Sequence, residues 1–159
     1  TVGTFVIQLD ATKVVAGPPS PPPPESQPEL FASLFCFSLM LPNFADKALL
    51  AMQYRQHAGA FGCEESVVYS NVSLRVAVGL NASAVNIGPI TTLQSTTVFF
   101  ALWTMIIRKG RFRFHDWTVK VDPACVFFAY RLRKALPQPN KDQGSYINNC
   151  PHGPGGGFQ

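Results

Sequence analysis

The chain has 159 residues, of which 47% are hydrophobic and 14% charged, with a formal net charge of +4. That length suits one domain with a core, and the composition is globular and sparsely charged. The basic excess is modest and no aromatic-basic interleaving accompanies it, which excludes a nucleic-acid-binding reading.

Residues 1–28 form an N-terminal extension. It holds a short apolar stretch, 4–9, that fits a strand. "GPPSPPPPESQP", 17–28, then excludes helix and central strand, because proline fixes its own φ and has no amide hydrogen to donate. This is a polyproline-type linker. The α/β domain is assigned to 29–150 and a glycine-rich tail to 151–159.

"LFASLFCFSLML", 30–41, is apolar without alternation, as expected of a strand buried on both faces of a parallel sheet. Asp46 fits the N-cap of a helix over 47–58, where Leu50, Ala51, Tyr54 and Ala58 recur at helical spacing. "ESVVYS", 65–70, is a second strand, so 30–70 reads as a βαβ unit. Residues 71–95 are weakly patterned: "VSLRVAVGL" fits another strand and "NIGPITTLQ" reads as a loop. "STTVFFALWTMIIRKG", 95–110, reads as a helix, central because it is apolar nearly all round. "DWTVKV", 116–121, is the third clear strand. "PACVFFAYRLRKAL", 123–136, reads as an amphipathic helix and 144–149 as a short last strand. Alternating strands and helices predict an α/β fold with a mostly parallel sheet and flanking helices.

The cations gather as Arg108, Lys109, Arg111, Arg113 and as Arg131, Arg133, Lys134. The preferred reading is two solvated helix ends, where cations suit the dipole; an anion site is the alternative. Neither of the longest apolar runs, 34–41 and 98–107, reaches the roughly 20 residues needed to cross a bilayer, so no transmembrane segment is expected. The chain lacks an initiator methionine and reads as processed or truncated.

Cys36, Cys63, Cys125 and Cys150 include no C-x-x-C pair, which argues against structural zinc and leaves three disulfide pairings open. Their even number, with N-x-S sequons at Asn71 and Asn81, favours the secretory pathway. His57, His115 and His152 are scattered without metal-ligand spacing. Glu64 and Glu65 are adjacent and face opposite ways on an extended segment, so they are not a paired acid and base.

"WTVKVD" places Thr118, Lys120 and Asp122 on one face of a strand, with Asp122 at its C-terminal end. Open α/β sheets bind ligands there. Lys120 lies about 6.6 Å back along that face. A lysine and an aspartate so placed suit a phosphate and its metal. Asp122 followed by Pro123 also fits a helix N-cap and first helical position, and the two roles are compatible.

"RFRFHDWTVKVDPACVFF" resembles the core of GT-A glycosyltransferases, whose signature ends a strand with Asp-x-Asp. "SLFCFSLMLP", "LLAMQYRQHAGAFGCEESVVYSN" and "DWTVKVDPACVFFAYRLR…GSYINNC" together resemble a group of algal glycosyltransferase-like proteins, over residues 30–153. The resemblance implies a Rossmann-like nucleotide-binding half, truncated before the acceptor side. It implies a nucleotide-diphosphate sugar held by Tyr69, Ser70, Lys120 and Asp122, with Mn²⁺ or Mg²⁺ on Asp122. The second acidic position is Ala124, which supplies no oxygen ligand. Asp116, about 20 Å away along an extended strand, is too far to replace it. The implied transferase is therefore expected to be impaired, and its location is the Golgi lumen. The alternative is a non-catalytic structural subunit with protein partners, peripheral to an organellar complex.

Overall fold

A computed structural model describes residues 5–7, 32–42, 44–85, 96–137 and 144–148. The proline-rich stretch 17–28, Cys150 and the tail 151–159 lie outside them. The strands are β1 (Phe5–Ile7), β2 (Leu34–Leu39), β3 (Glu65–Ser70), β4 (Leu74–Ala77), β5 (Leu80–Ala84), β6 (Trp117–Lys120) and β7 (Tyr146–Asn148). The α-helices are α1 (Phe44–Arg55), α2 (Thr96–Lys109) and α3 (Ala129–Ala135). Short 3-10 turns span Gly59–Gly62 and Arg111–Phe114.

The strands join in the order β4-β5-β3-β2-β6-β1-β7. β5, β3, β2 and β6 run parallel and form the centre. β4 flanks β5, β1 flanks β6 and β7 flanks β1, each antiparallel. The expected α/β fold with a mostly parallel sheet is therefore present. A strand from ahead of the proline-rich stretch completes it, since β1 sits between β6 and β7.

The continuous apolar run of β2 is explained by its central place: all six of its residues are buried. Phe35, Phe37 and Leu39 face α2, where Val98, Leu102 and Ile106 meet them with Tyr69 of β3. Phe37 packs edge-on to Trp103, with ring centroids 5.0 Å apart. On the opposite face, Leu34 and Cys36 join Trp117, Val119 and Ala129. Leu50 and Ala51 of α1 close over Met40 and Val68 on that same side. The layers are thus α2, then the sheet, then α1 with α3.

Several boundaries differ from expectation. Helix α1 begins at Phe44, so Asp46 lies within its first turn and is not its N-cap. The Asp46 carboxylate instead accepts the Leu41 backbone N–H, at 3.0 Å, and ties β2's exit to the helix. Residues 74–84 form two strands, a β4–β5 hairpin that turns through Gly79 at φ +82°. Helix α2 is not central: it lies on one face of the sheet, with Val98, Leu102 and Ile106 inward and Phe100 exposed.

The largest correction concerns 123–136. The helix starts at Ala129, and Asp122 does not cap it. The Cys125 N–H donates to the Asp122 carbonyl at 3.0 Å, so 122–125 is a β-turn with Asp first and proline second. Those are favoured turn positions for the same two residues that suggested a cap. The chain then passes through 126–128 without regular structure, extended at Phe128, and half-buried Phe127 packs against the core.

Candidate functional site at the sheet's switch point

From β2 the chain crosses through α1 to β3 on one side. It later crosses through α2, on the opposite face, to β6 on the other side. The connections therefore part at the C-terminal ends of β2 and β6, where a doubly wound sheet opens a crevice. Asp122 follows β6 at this point, and register brings it beside Leu39, which in turn pairs with Tyr69 of β3.

Lys120 and Asp122 share the α2 face, as their spacing predicts. Their side chains form a buried ion pair, Nζ to Oδ1 at 2.5 Å. The Lys120 ammonium also lies 4.7 Å from the centroid of the Phe99 ring of α2, a favourable cation–π position. The second Asp122 oxygen, Oδ2, is buried and has no hydrogen-bond partner among the described residues.

Tyr69 lies on the same face but two strands from Asp122, about 9.6 Å away at usual strand spacing. Its ring is packed against Phe37, and burial pushes its hydroxyl up to about 12, with the nearby Glu65 charge adding to the effect. Ser70 turns to the other face, is fully buried, and its hydroxyl contacts the Asn71 side chain at 3.4 Å. The structure thus joins Lys120 to Asp122, and leaves Tyr69 and Ser70 apart from them.

These residues do not fit a Mn²⁺ or Mg²⁺ seat. A hard cation needs several oxygens, and a lysine ammonium already neutralises one of the two that Asp122 offers. Ala124 projects an exposed methyl group. Among the described residues no group of three His, Cys, Asp or Glu comes together. Asp116 is occupied elsewhere, accepting hydrogen bonds from the Ser33 N–H at 2.8 Å and hydroxyl at 2.9 Å where β2 and β6 begin.

Glu64 and Glu65 do face opposite ways. Glu64 accepts the Leu34 N–H at 2.7 Å and pairs with Arg133 at 2.5 Å. Glu65 pairs with Arg111 and, at 3.2 Å, with His115. Burial by itself raises the Glu65 carboxyl, but the hydrogen bonds from His115 and Arg111 outweigh it and hold the group below its ordinary value. The grouping of Glu65 with His115 spans 50 residues of chain and had no local signal.

Cys36 and Cys63 form a disulfide, which selects one partner for each from the open pairings. Half-buried Cys125 is not part of it. A disulfide is compatible with an oxidising, lumenal or extracellular setting. Of the sequon asparagines, Asn81 on β5 is exposed and Asn71, after β3, is half-buried. No described helix is long and apolar enough to cross a membrane.

A second concave feature escaped the sequence pattern. A groove of about 500 Å³ lies between α1 and the segment before α3, lined by Met52, Gln53, His57, Val126, Phe128 and Tyr130 among others. A helix over 123–136 would put Phe128 on one face with Cys125, Ala129, Leu132 and Leu136; α3 starts only at Ala129, and Phe128 is half exposed. Comparison with known proteins gives no match to any family model, curated protein or solved structure.

Proposed function

We propose that this chain is a degenerate glycosyltransferase-type α/β domain that serves as a non-catalytic subunit of a larger assembly in an oxidising lumen such as the Golgi. The Lys120–Asp122 ion pair carries this reading. At the crevice where a GT-A enzyme presents acidic oxygens to a metal-bound diphosphate, this chain presents a neutralised carboxylate and the Ala124 methyl. The carboxylate satisfies a lysine two residues back and leaves the expected metal chemistry without its ligands.

Calorimetric titration of the chain with uridine and guanosine diphosphates, with and without Mn²⁺, tests it. No metal-dependent heat is expected. Micromolar binding that vanishes on chelation overturns the reading.

A second reading, nucleotide-sugar-dependent hexosyl transfer, is favoured by one observation. The unpartnered, buried Oδ2 of Asp122 is an acceptor in want of a donor, at the place where such a fold takes its ligand. In that case Asp122 accepts a ribose or sugar hydroxyl while Lys120 holds the carboxylate in place through its other oxygen. Metal-independent binding of a nucleotide sugar, lost in Asp122→Asn, is the outcome that supports it.

A further inference from the structure

The groove between α1 and the segment before α3 carries an inference about the partner. Of the eight large hydrophobic side chains exposed among the described residues, four flank it: Met52, Val126, Phe128 and Tyr130. Val126 is 85% exposed. Such convergence marks an interaction surface, since solitary exposed apolar residues are scattered at random.

Its rim is cationic. α3 carries Arg131, Arg133 and Lys134 and no acid. Arg133 is committed to Glu64 and to the Gly62 carbonyl. Arg131 and Lys134 instead lie over the Phe128 and Tyr130 rings, at 4.7 and 5.1 Å from the centroids, so two cations are held at the groove's edge.

One of its walls is the segment that precedes α3. Residues 126–128 belong to no helix or strand; Phe128 is extended, at φ −117° and ψ 96°, and Val126 and Phe128 are exposed on either side of half-buried Phe127, the alternation of a strand. Neither Val126 nor Phe127 makes a backbone hydrogen bond within the described residues. Across the groove, the Gln53 amide nitrogen donates to the Pro123 carbonyl at 2.8 Å, while its oxygen is buried without a partner. Gly59, at φ +60°, makes room for that amide, because a Cβ there would stand 2.6 Å from the Gln53 oxygen.

We propose that this groove docks an extended, acidic peptide segment of a partner protein. The peptide adds a short strand along 126–127, sets an apolar side chain among Met52, Phe128 and Tyr130, and places carboxylates against Arg131 and Lys134. Main-chain pairing supplies affinity and alternate side chains supply specificity in this mode of recognition. The basic rim makes the partner acidic, and the concave groove with its alternating apolar side chains at 126–128 selects a peptide over a flat lipid surface. The inference rests on the reading of this chain as a subunit of an assembly and names the chemistry of what it meets.

A displayed random-peptide library selected against the full chain tests it. Winning sequences are expected to place Asp or Glu on either side of large apolar residues. A winning peptide, made synthetically with a dye, is expected to bind at least tenfold more weakly to Val126→Glu and to Arg131→Glu, and to weaken as salt rises. Both positions are exposed, so each variant is expected to melt as the native chain does. N-methylation of the peptide's alternate amides is expected to abolish binding. No enrichment, enrichment of basic sequences, or equal binding by the variants or by the N-methylated peptide overturns the proposal. So does binding of phosphatidylserine vesicles that displaces the peptide and persists in Val126→Glu. Failure of the selection while the tagged chain still runs in a stoichiometric complex overturns the groove alone. Peptide binding by a chain that runs only as a monomer overturns the subunit reading alone.

Discussion

Lys120 and Asp122 set the character of the crevice. Both side chains are buried, so each charge depends on the other for the solvation that water no longer provides. Removing one partner leaves an uncompensated buried charge, whereas replacing both with apolar groups of similar volume removes the problem. Lys120→Met is accordingly expected to cost about 3–5 kcal/mol of unfolding free energy, and Lys120→Met with Asp122→Leu to recover most of it. Urea unfolding monitored by tryptophan fluorescence checks this, and a double variant no more stable than the single would show that the two charges are not coupled. The pairing of these residues was legible in the sequence, because strand alternation places them on one face. The turn was not. An Asp-Pro pair satisfies both a helix start and a β-turn, and only the packing of Phe127 into the core selects between them.

At the scale of elements, β2, α1 and β3 form the unit on which the sheet is built, and the Cys36–Cys63 disulfide closes it. The bond joins a fully buried position in the central strand to the residue that precedes Glu64, across a separation of 27 residues. Loop-closure entropy for that length gives about 3.5 kcal/mol of stabilisation. Cys36→Ala with Cys63→Ala is expected to lose about 2–4 kcal/mol and to lower the melting temperature measurably in calorimetry. A reductant should shift the native chain in the same direction and leave the double variant unchanged. The elements themselves were largely readable, because β2, β3, β6 and α2 are strongly patterned runs bounded by Pro, Gly or charge. The starts of α1 and α3 were displaced by two local competitors, a carboxylate that reaches back to Leu41 and a β-turn at 122–125.

For the whole molecule, two titrating groups on the α2 side of the sheet make stability depend on pH. The Glu65 carboxyl is depressed, so its contribution is present above its unfolded value, near 4.5, and is lost as pH falls through the lower folded value. The Tyr69 hydroxyl is raised from 10.0 to about 12, so its contribution is full below pH 10 and is lost as pH rises from there to about 12. That two-unit shift corresponds to something on the order of 2.5 kcal/mol. Tyr69→Phe is expected to flatten the alkaline limb of a stability–pH profile, and Glu65→Gln the acid limb. A native-like alkaline limb in Tyr69→Phe would place the loss in another group.

The sequence by itself determined the fold class. Apolar periodicity and its interruptions are local properties, and a run such as "LFCFSLML" has few places to go except the middle of a parallel sheet. It also determined that Lys120 and Asp122 share a face and that Glu64 and Glu65 do not. Only the tertiary structure decided that Cys36 pairs with Cys63, that β1 joins the sheet beyond β6, that His115 reaches Glu65, and that Val126, Phe128 and Tyr130 gather beside α1 in a groove. Each of these is a meeting of residues far apart in the chain. Such meetings depend on strand order and on which face each crossover covers, and neither is written in the spacing of neighbouring residues.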